Sequence, residues 1–264
     1  MSTTIAIHGA AGRMGRRLVA LAAADADLTL TAAADAPGHP DLGRDAGELA
    51  GAGKLGVPLT EALVDPPAVV IDFSLPEGTR RVLPWCVEHR VPLVLGTTGL
   101  SDADDAALAE AANTIPLLRA TNFSLVVNVL HDLIKRAAPL LGDDYDIEIM
   151  EAHHRFKKDA PSGTALSLAQ TVCAATGRDF GRDVLTTRSG DAVPRQPNEV
   201  TVQAIRIGDH PGEHTVYFAA PGERLELKHV STSRDSYALG ALRAAKWLAR
   251  QSAGRYDMKD VLGL

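Results

Sequence analysis

Short apolar runs and stretches of helical periodicity alternate along the first half of the chain. Ile5-Ala6-Ile7 is apolar and ends at His8. After a glycine-rich turn, Arg16 to Ala24 reads as a helix, with Met14, Leu18, Leu21 and Ala22 on one face. Leu28 to Ala34 is the next apolar run and stops at Asp35. Residues 36–56 are rich in Gly, Asp and Pro and predict a long surface connection. The alternation then resumes: Val69 to Phe73 as strand, Pro76 to His89 as helix, Pro92 to Leu95 as strand, Ser101 to Asn113 as helix, Ile115 to Leu118 as strand. Ser101 with Asp104 three residues on predicts a capped helix start. Strands and helices at this spacing predict an α/β unit: a parallel sheet with helices on both faces.

The second half has a different rhythm. Leu125 to Leu141 reads as a long amphipathic helix, and Asp146 to Ala152 alternates as a half-buried strand does. Thr164 to Ala175 reads as a helix closed by Gly177. Asp179 to Asn198 is a polar loop. Alternating runs follow at Glu199–Ile207, His214–Ala220 and Arg224–Val230, with turns at Gly208-Asp209 and Pro221-Gly222, and predict an antiparallel meander. With its helices this makes an α+β domain built on a mixed or antiparallel sheet. One of its faces is apolar enough to favour self-association. Arg234 to Gln251 is a last amphipathic helix, and the segment Tyr256 to Leu262 follows it.

Composition narrows the class. The 264 residues are 45% hydrophobic and 23% charged, as in an ordinary globular protein, with a net charge of −6. That charge argues against nucleic acid or an anionic membrane as a partner. Cys86 and Cys173 stand far apart and outside any CxxC or His-rich context, so buried thiols in a reducing compartment are expected, without disulfide or zinc site. The first residues carry no basic segment ahead of an apolar core, and no apolar run approaches the ~20 residues of a membrane span. A cytoplasmic protein is expected.

The turn after the first strand is Gly9-Ala10-Ala11-Gly12-Arg13-Met14-Gly15. Strand, glycine turn and helix are the context of a dinucleotide fingerprint, here spaced GxxGxxG with Ala11 where a middle glycine often stands. A tight turn without ligand would look the same. Asp35 adds weight, because it lies 20 residues beyond Gly15, where an acidic side chain accepts from ribose hydroxyls. Ala36 follows it and offers no cation to a 2′-phosphate, so NADH is favoured over NADPH, with Arg44 and Lys54 the nearest compensating cations in sequence. Two further strand ends carry small polar residues, at Gly96-Thr97-Thr98 and Thr121-Asn122-Phe123. Ligands bind beyond such strand ends in open parallel sheets.

The stretch Glu151 to Ala165 sets His153, His154, Arg155, Lys157 and Lys158 ahead of Pro161-Ser162-Gly163-Thr164 and a new helix. Each residue alone has an ordinary explanation. Paired histidines are commonly structural or metal-binding, and no third ligand stands at a familiar spacing. Arg155 can pair with Glu151 or Asp159, Lys158 can be solvated, and Ser162 can be a plain N-cap. Cations followed by a helix N-terminus also make an anion seat. A protonatable imidazole and a lysine in the same place suit a carboxylate-bearing substrate and a step that needs a proton.

The motif Glu151-Ala152-His153-His154-Arg155-Phe156-Lys157-Lys158-Asp159-Ala160-Pro161-Ser162-Gly163-Thr164-Ala165 resembles the signature of the 4-hydroxy-tetrahydrodipicolinate reductase (dihydrodipicolinate reductase) family. The resemblance extends over nearly the whole chain, through Gly9–Gly15, Asp45–Gly51, Ile71-Asp72-Phe73, Gly96-Thr97-Thr98-Gly99, Asn122-Phe123-Ser124, Gly212-Glu213-His214-Thr215 and Gly222–Glu226. It implies a homotetramer of two-domain chains. Residues 1–123 plus 234–264 would form a Rossmann-type domain for NADH or NADPH, and residues 124–233 a domain for substrate binding and oligomerisation. By position, His153 and Lys157 match the proton-exchanging residues. His154, Lys157, Ser162, Gly163 and Thr164 match the substrate contacts. Gly9, Ala10, Ala11, Gly12, Arg13, Met14, Asp35, Gly96, Thr97, Thr98, Ala120, Thr121, Asn122 and Phe123 match the cofactor contacts, with Arg234 near the nicotinamide or the hinge. Phe156 stands where other members carry a third histidine, so that position is not expected to serve the chemistry. The implied reaction is reduction of a cyclic dicarboxylate imine with loss of water, in diaminopimelate and lysine biosynthesis. The runner-up is another two-domain reductase, such as an amino-acid or aldose dehydrogenase, which would share the glycine turn but gives no reason for His-His-Arg followed by Pro-Ser-Gly-Thr. An NADH-sensing regulator would need a DNA-binding module or basic face, and the net charge argues against one.

Overall fold

The structure, a computed structural model, describes residues 2–191 and 193–264. Met1 and Ala192, which fall in the N-terminal segment and in the polar 179–198 stretch, lie outside the described residues. The chain divides into two compact units, residues 1–125 with 235–264, and residues 126–234.

The first unit runs β1 (Thr3–His8), α1 (Arg13–Ala23), β2 (Leu28–Ala34), α2 (Ala46–Ala50), β3 (Leu59–Thr60), β4 (Val69–Asp72), α3 (Pro76–His89), β5 (Leu93–Leu95), α4 (Asp102–Ala111) and β6 (Pro116–Arg119). All of its strand pairs are parallel, in the order β12-β6-β5-β4-β1-β2-β3, where β12 (Gly254–Tyr256) comes from late in the chain. Both faces of this sheet are covered. Ile5, Ile7, Ile71, Val94 and Leu118 pack with Leu18 and Val19 of α1 and with Ala241, Leu242 and Ala245 of the last long helix. Ala6, Val70, Leu93, Leu95 and Leu117 face the other way, onto Val82, Cys86, Leu108 and Ala111 of α3 and α4. Burial on both faces is why these strands read as continuous apolar runs rather than alternating ones. The Ser101–Asp104 capping box starts α4 as the sequence predicts.

The second unit carries α5 (Leu125–Leu141), which begins one residue before the boundary, then β7 (Asp146–His153), α6 (Gly163–Thr176), α7 (Phe180–Asp183), β8 (Val184–Leu185), β9 (Val200–Arg206), β10 (Gly212–Ala220) and β11 (Glu223–Ser231). Its sheet order is β11-β10-β7-β9-β8. One face packs Ile147, Ile149, Val200, Val202, Val216 and Phe218 against Leu130 and Ile134 of α5 and Leu168 and Val172 of α6. Gly177, at φ 70°, closes α6 in the left-handed conformation. The chain then adds α8 (Asp235–Leu248), β12 (Gly254–Tyr256) and α9 (Met258–Leu262) to the first unit.

Three expectations change. The runs β9, β10 and β11 are not a meander. β7 is inserted between β9 and β10, parallel to the first and antiparallel to the second. A period-2 pattern fixes which face a residue takes and not which strand lies beside it. Residues 207–211, joining β9 to β10, cross the end of β7 and bond to it: Ile207 N to His153 O at 2.9 Å, His154 N to His210 O at 2.8 Å and Arg155 N to Gly208 O at 3.1 Å. Second, the stretches 36–56 and 179–198 are not plain loops, since the first holds α2 and the second holds α7 and β8. Third, α1 starts at Arg13 rather than Arg16, so the second half of the glycine turn is already helical.

Candidate active site

The predicted nucleotide residues follow the carboxyl ends of β6, β5, β1 and β2, four strands of one parallel sheet in which only β4 stands between β5 and β1. Gly9, at φ +79°, opens the turn after β1, and an added Cβ there would stand 2.7 Å from Phe73 O. At Gly15 a Cβ would stand 2.1 Å from Gly9 O, so α1 presses onto the turn as no larger residue allows. Gly9 N and Ala10 N both donate to Ala34 O, at 2.9 and 3.0 Å, and Ala11 N donates to Asp35 Oδ2 at 2.8 Å. The turn is thereby stitched to the end of β2. Gly12 is the N-cap of α1 and supplies no side-chain cap, and the first turn, with Arg13 and Met14, holds no acidic residue. Such a helix start accepts an anion. These residues fit a dinucleotide pyrophosphate.

Asp35 Oδ1 accepts from Ala36 N at 2.8 Å, so each carboxylate oxygen already has one donor and keeps capacity for a hydroxyl. Arg16 donates to Ala11 O at 2.8 Å and to Asp41 at 3.1 Å, and Arg44 reaches the same Asp41 at 2.5 Å. Lys54 is exposed.

Beyond β5, Gly96 lies under the Phe73 ring, where a Cβ would come within 2.5 Å, and Phe73 and Phe123 rings stand 5.2 Å apart. Thr97 is buried and Thr98 exposed. Ala120, Thr121, Asn122 and Phe123 follow β6, and Asn122 accepts from Ser124 N at 2.9 Å. The group that ties these ends together stands in the Ile71-Asp72-Phe73 landmark, where the sequence gives it no role. Asp72, at the end of β4, accepts from His8 Nδ1 at 2.8 Å, Ser74 N at 3.1 Å, Thr79 Oγ1 at 2.6 Å and Thr97 Oγ1 at 3.3 Å. Burial pushes its carboxyl up, but the His8 contact and the Ser74 and Thr79 hydroxyls outweigh it and leave it below the ordinary range.

In the second unit the predicted proton and carboxylate residues also converge. His153 ends β7, buried at 7% exposure. Its Nδ1 lies 2.6 Å from Glu151 Oε2. Glu151 is fully buried and accepts three other bonds, two from Arg206 at 2.9 Å each and one from Ser162 N at 3.0 Å. Burial pushes the Glu151 carboxyl up, and the bonds from His153, Arg206 and Ser162 outweigh that and bring it to about 2. Ser162 caps α6, its Oγ accepting from Ala165 N at 3.2 Å, and the same Oγ meets His214 Nε2 at 3.2 Å. Gly163 and Thr164 are the next two residues of α6. His154 Nδ1 is buried without a hydrogen-bond partner. Lys157 Nζ is paired with Asp159 at 2.8–2.9 Å, and that contact is the main cause that lowers the Asp159 carboxyl.

A histidine row underlies this end of the sheet. His214 on β10 stands opposite Glu151 of β7 and His229 of β11. Its ring is edge-on to His153 at 5.2 Å and stacked on His229 at 5.8 Å. Burial, then the His153 and His229 rings, push His214 down to about 3, and burial lowers His229 as well. Gly212 backs onto His153, where a Cβ would come 3.0 Å from Nε2.

Glu151 and His214 stand in motifs that the sequence singles out without assigning them a role, and Arg206 and His229 carry no such signal. Arg206 lies 55 residues from Glu151, and only the β7–β9 pairing reveals it. Arg155 pairs with neither Glu151 nor Asp159 among the described ion pairs, Phe156 is 78% exposed, and Arg234 is exposed just before α8. Among the described residues, no group of three or more His, Cys, Asp or Glu is placed to hold a metal ion, and no helix is long and apolar enough to cross a membrane.

Comparison with known proteins bears on the same two units. Residues 3–123 match the family described as "Dihydrodipicolinate reductase, N-terminus", and residues 126–262 match "Dihydrodipicolinate reductase, C-terminus". The 4-hydroxy-tetrahydrodipicolinate reductase of Alkalilimnicola ehrlichii is 49% identical over the whole of both chains, and that of an Anaeromyxobacter species is 48% identical over 98% of this chain and 97% of its own. A dipicolinate-bound dihydrodipicolinate reductase from a Paenisporosarcina species shares the fold, with a TM-score of 0.76, 21% identity, and 97% and 98% of the two chains covered. A myo-inositol dehydrogenase from Corynebacterium glutamicum is similar in fold at a TM-score of 0.59 and 15% identity, over 96% of this chain and 90% of its own. With both halves matched in order and relatives near half identity along their full length, the chain belongs to the dihydrodipicolinate reductase family.

Proposed function

We propose that this chain reduces (2S,4S)-4-hydroxy-2,3,4,5-tetrahydrodipicolinate to tetrahydrodipicolinate with loss of water, using NADH or NADPH, as a step of the diaminopimelate and lysine pathway. The observation that carries the reading is the single buried carboxylate of Glu151, which joins the imidazole of His153 to the capped start of α6. A proton-exchanging ring and a seat for carboxylates are thus built as one piece. His153 and Lys157 exchange the proton, while His154, Lys157 and the Ser162–Gly163–Thr164 helix start hold the two carboxylates. The unpartnered His154 Nδ1 suits a ligand oxygen. The first unit's strand ends hold the nucleotide, with Gly9 to Met14 at the pyrophosphate, Asp35 at the ribose, and Gly96–Thr98 and Ala120–Phe123 toward the nicotinamide. When bound, the dihydronicotinamide supplies the hydride for the ring carbon conjugated with the imine. The test is substitution: His153→Ala and Lys157→Ala should each lower kcat by ~10²-fold or more, the range for a positioned acid, and near-normal turnover in both would sink the assignment. Dipicolinate, a planar dicarboxylate, should raise Tm in the presence of NADH, and no shift would count against the reading.

NADH is the preferred cofactor. Asp35 repels a 2′-phosphate, and the two nearby arginines, Arg16 and Arg44, are both engaged by Asp41. Initial rates with the two cofactors at equal concentration decide this, and faster turnover with NADPH would overturn it. The chain works as a homotetramer in the cytoplasm. Ile205 and Val230 of the second unit's sheet and the adjacent Ile207 are 40–56% exposed, which suits burial against another copy, and Cys86 and Cys173 are free and buried, which suits a reducing compartment. Sedimentation equilibrium tests the assembly, and a monomer at working concentration would refute it.

A further inference from the structure

We propose that Glu151 and Arg206 are positioning residues for proton transfer, which together fix the His153 imidazole as the tautomer protonated on Nδ1 and turn Nε2 to the substrate. The proposal rests on the reading of His153 as the acid–base group. A carboxylate only accepts, so at 2.6 Å from Glu151 the His153 Nδ1 must be the donor. The tautomer follows from the bonding pattern.

Arg206 makes this arrangement durable. Glu151 has no solvent contact, and an unpaired buried charge is strongly unfavourable. The paired 2.9 Å bonds from Arg206 compensate that charge whether or not the imidazole carries a second proton. Without Arg206 the imidazolium would be the only full counter-charge within bonding distance of Glu151, and releasing its proton would strand a buried anion. Arg206 also donates to Asp159 O at 2.6 Å, and Glu151 accepts from Ser162 N, so the pair holds both ends of the Asp159–Ser162 segment. The other groups facing His153 do not substitute for this pair. His214 of β10 is held neutral, His229 of β11 lies behind it, and Lys157 pairs with Asp159 and not with Glu151. Beside Nε2 lies Gly212, where an added Cβ would stand 3.0 Å from that nitrogen, so the absence of a side chain there leaves the ring nitrogen uncrowded on that side.

Side-chain ¹⁵N NMR of the full chain, with His153 assigned by its loss in His153→Gln, tests the proposal without turnover. The expected result is a proton on Nδ1 and none on Nε2 at neutral pH, and a change of tautomer in Glu151→Gln. In the same variants kcat should fall at least about tenfold, since a carboxylate orienting a catalytic imidazole is worth up to ~10⁴-fold. Arg206→Met should fall likewise, and Arg206→Lys should recover part of the loss. NADH affinity should stay within about twofold throughout, a split that general unfolding would not produce. A proton on Nε2 in the parent protein, or an unchanged tautomer in Glu151→Gln, overturns the proposal. A changed tautomer together with normal turnover in His153→Gln overturns instead the acid–base reading beneath it.

Discussion

Mild acid should loosen the second unit well above the carboxylate range, and His214 is the cause. Its side chain is 1% exposed, its Nδ1 has no partner, and its pKa is pushed down to about 3 by burial and by the His153 and His229 rings. An unfolded histidine titrates near 6.5. Between those values the unfolded chain binds the proton and the folded chain does not, so stability falls as pH falls. The contribution is fully present above about pH 6.5 and is lost at about 1.4 kcal/mol per pH unit below it. From about pH 7.5 to about pH 5 His214 alone accounts for about 2 kcal/mol, and the whole interval of about 3.5 units sets a ceiling of about 5 kcal/mol. Glu151 acts with the same sign but lower, between its ordinary 4.5 and about 2, so the milder window leaves the histidines: His214, and His229, which burial also lowers and which His214→Gln leaves in place. Urea midpoints followed by far-UV circular dichroism at the two pH values measure the loss. Trp85 and Trp247 both lie in the first unit, so tryptophan fluorescence follows the other half of the molecule. His214→Gln keeps a hydrogen-bonding group beside Ser162 and cannot titrate; it should remove about 2 kcal/mol of the pH dependence. An equal pH dependence in variant and parent, or an His214 ring protonated at about pH 5 by NMR, would refute the reasoning.

Other outcomes follow from single contacts. Gly212→Ala places a Cβ 3.0 Å from His153 Nε2, so the ring must shift; kcat should drop severalfold with NADH affinity unchanged, checked by steady-state kinetics and fluorescence titration. Gly15→Ala drives a Cβ to 2.1 Å from Gly9 O and should cost about 1–3 kcal/mol or more, read as a lowered Tm and a weakened NADH affinity. Asp72→Asn replaces an acceptor of four donors by a group that accepts at one atom only, and should destabilise the first unit by about 1–3 kcal/mol in urea unfolding followed by tryptophan fluorescence.

How much of this the amino-acid order carries depends on the range of each interaction. The glycine turn was legible because Gly9, Gly15 and the apolar run before them act locally, and Asp35 because one strand separates it from the turn. The motif at Glu151–Thr164 was legible for the same reason, since His153, Lys157 and Ser162 lie within ten residues of one another. Arg206, His214 and His229 were not. Each reaches the site only through strand register, and the apolar alternation of β9, β10 and β11 is equally compatible with a meander and with β7 inserted among them. Short strands failed for another reason. Gly254-Arg255-Tyr256 carries no apolar run, and its place as the seventh strand is set by pairing with Pro116–Leu118.

The two halves solve a common problem with different chemistry. Each sheet ends in a buried carboxylate that accepts from a histidine Nδ1 and from a backbone amide: Asp72 with His8 and Ser74 N, Glu151 with His153 and Ser162 N. Around Asp72 the remaining bonds come from Thr79 and Thr97 hydroxyls, and no arginine or lysine joins it among the described ion pairs. Around Glu151 they come from Arg206, a permanent cation. A guanidinium compensates the buried Glu151 charge on its own, whereas Asp72 relies on an imidazole and neutral donors. Arg206 is therefore what distinguishes the two carboxylate–histidine pairs, and removing it is informative. Arg206→Met should leave Glu151 held as Asp72 is, by an imidazole and neutral donors, with the chain still folded by far-UV circular dichroism and kcat lowered in steady-state kinetics, and unchanged turnover would refute the distinction.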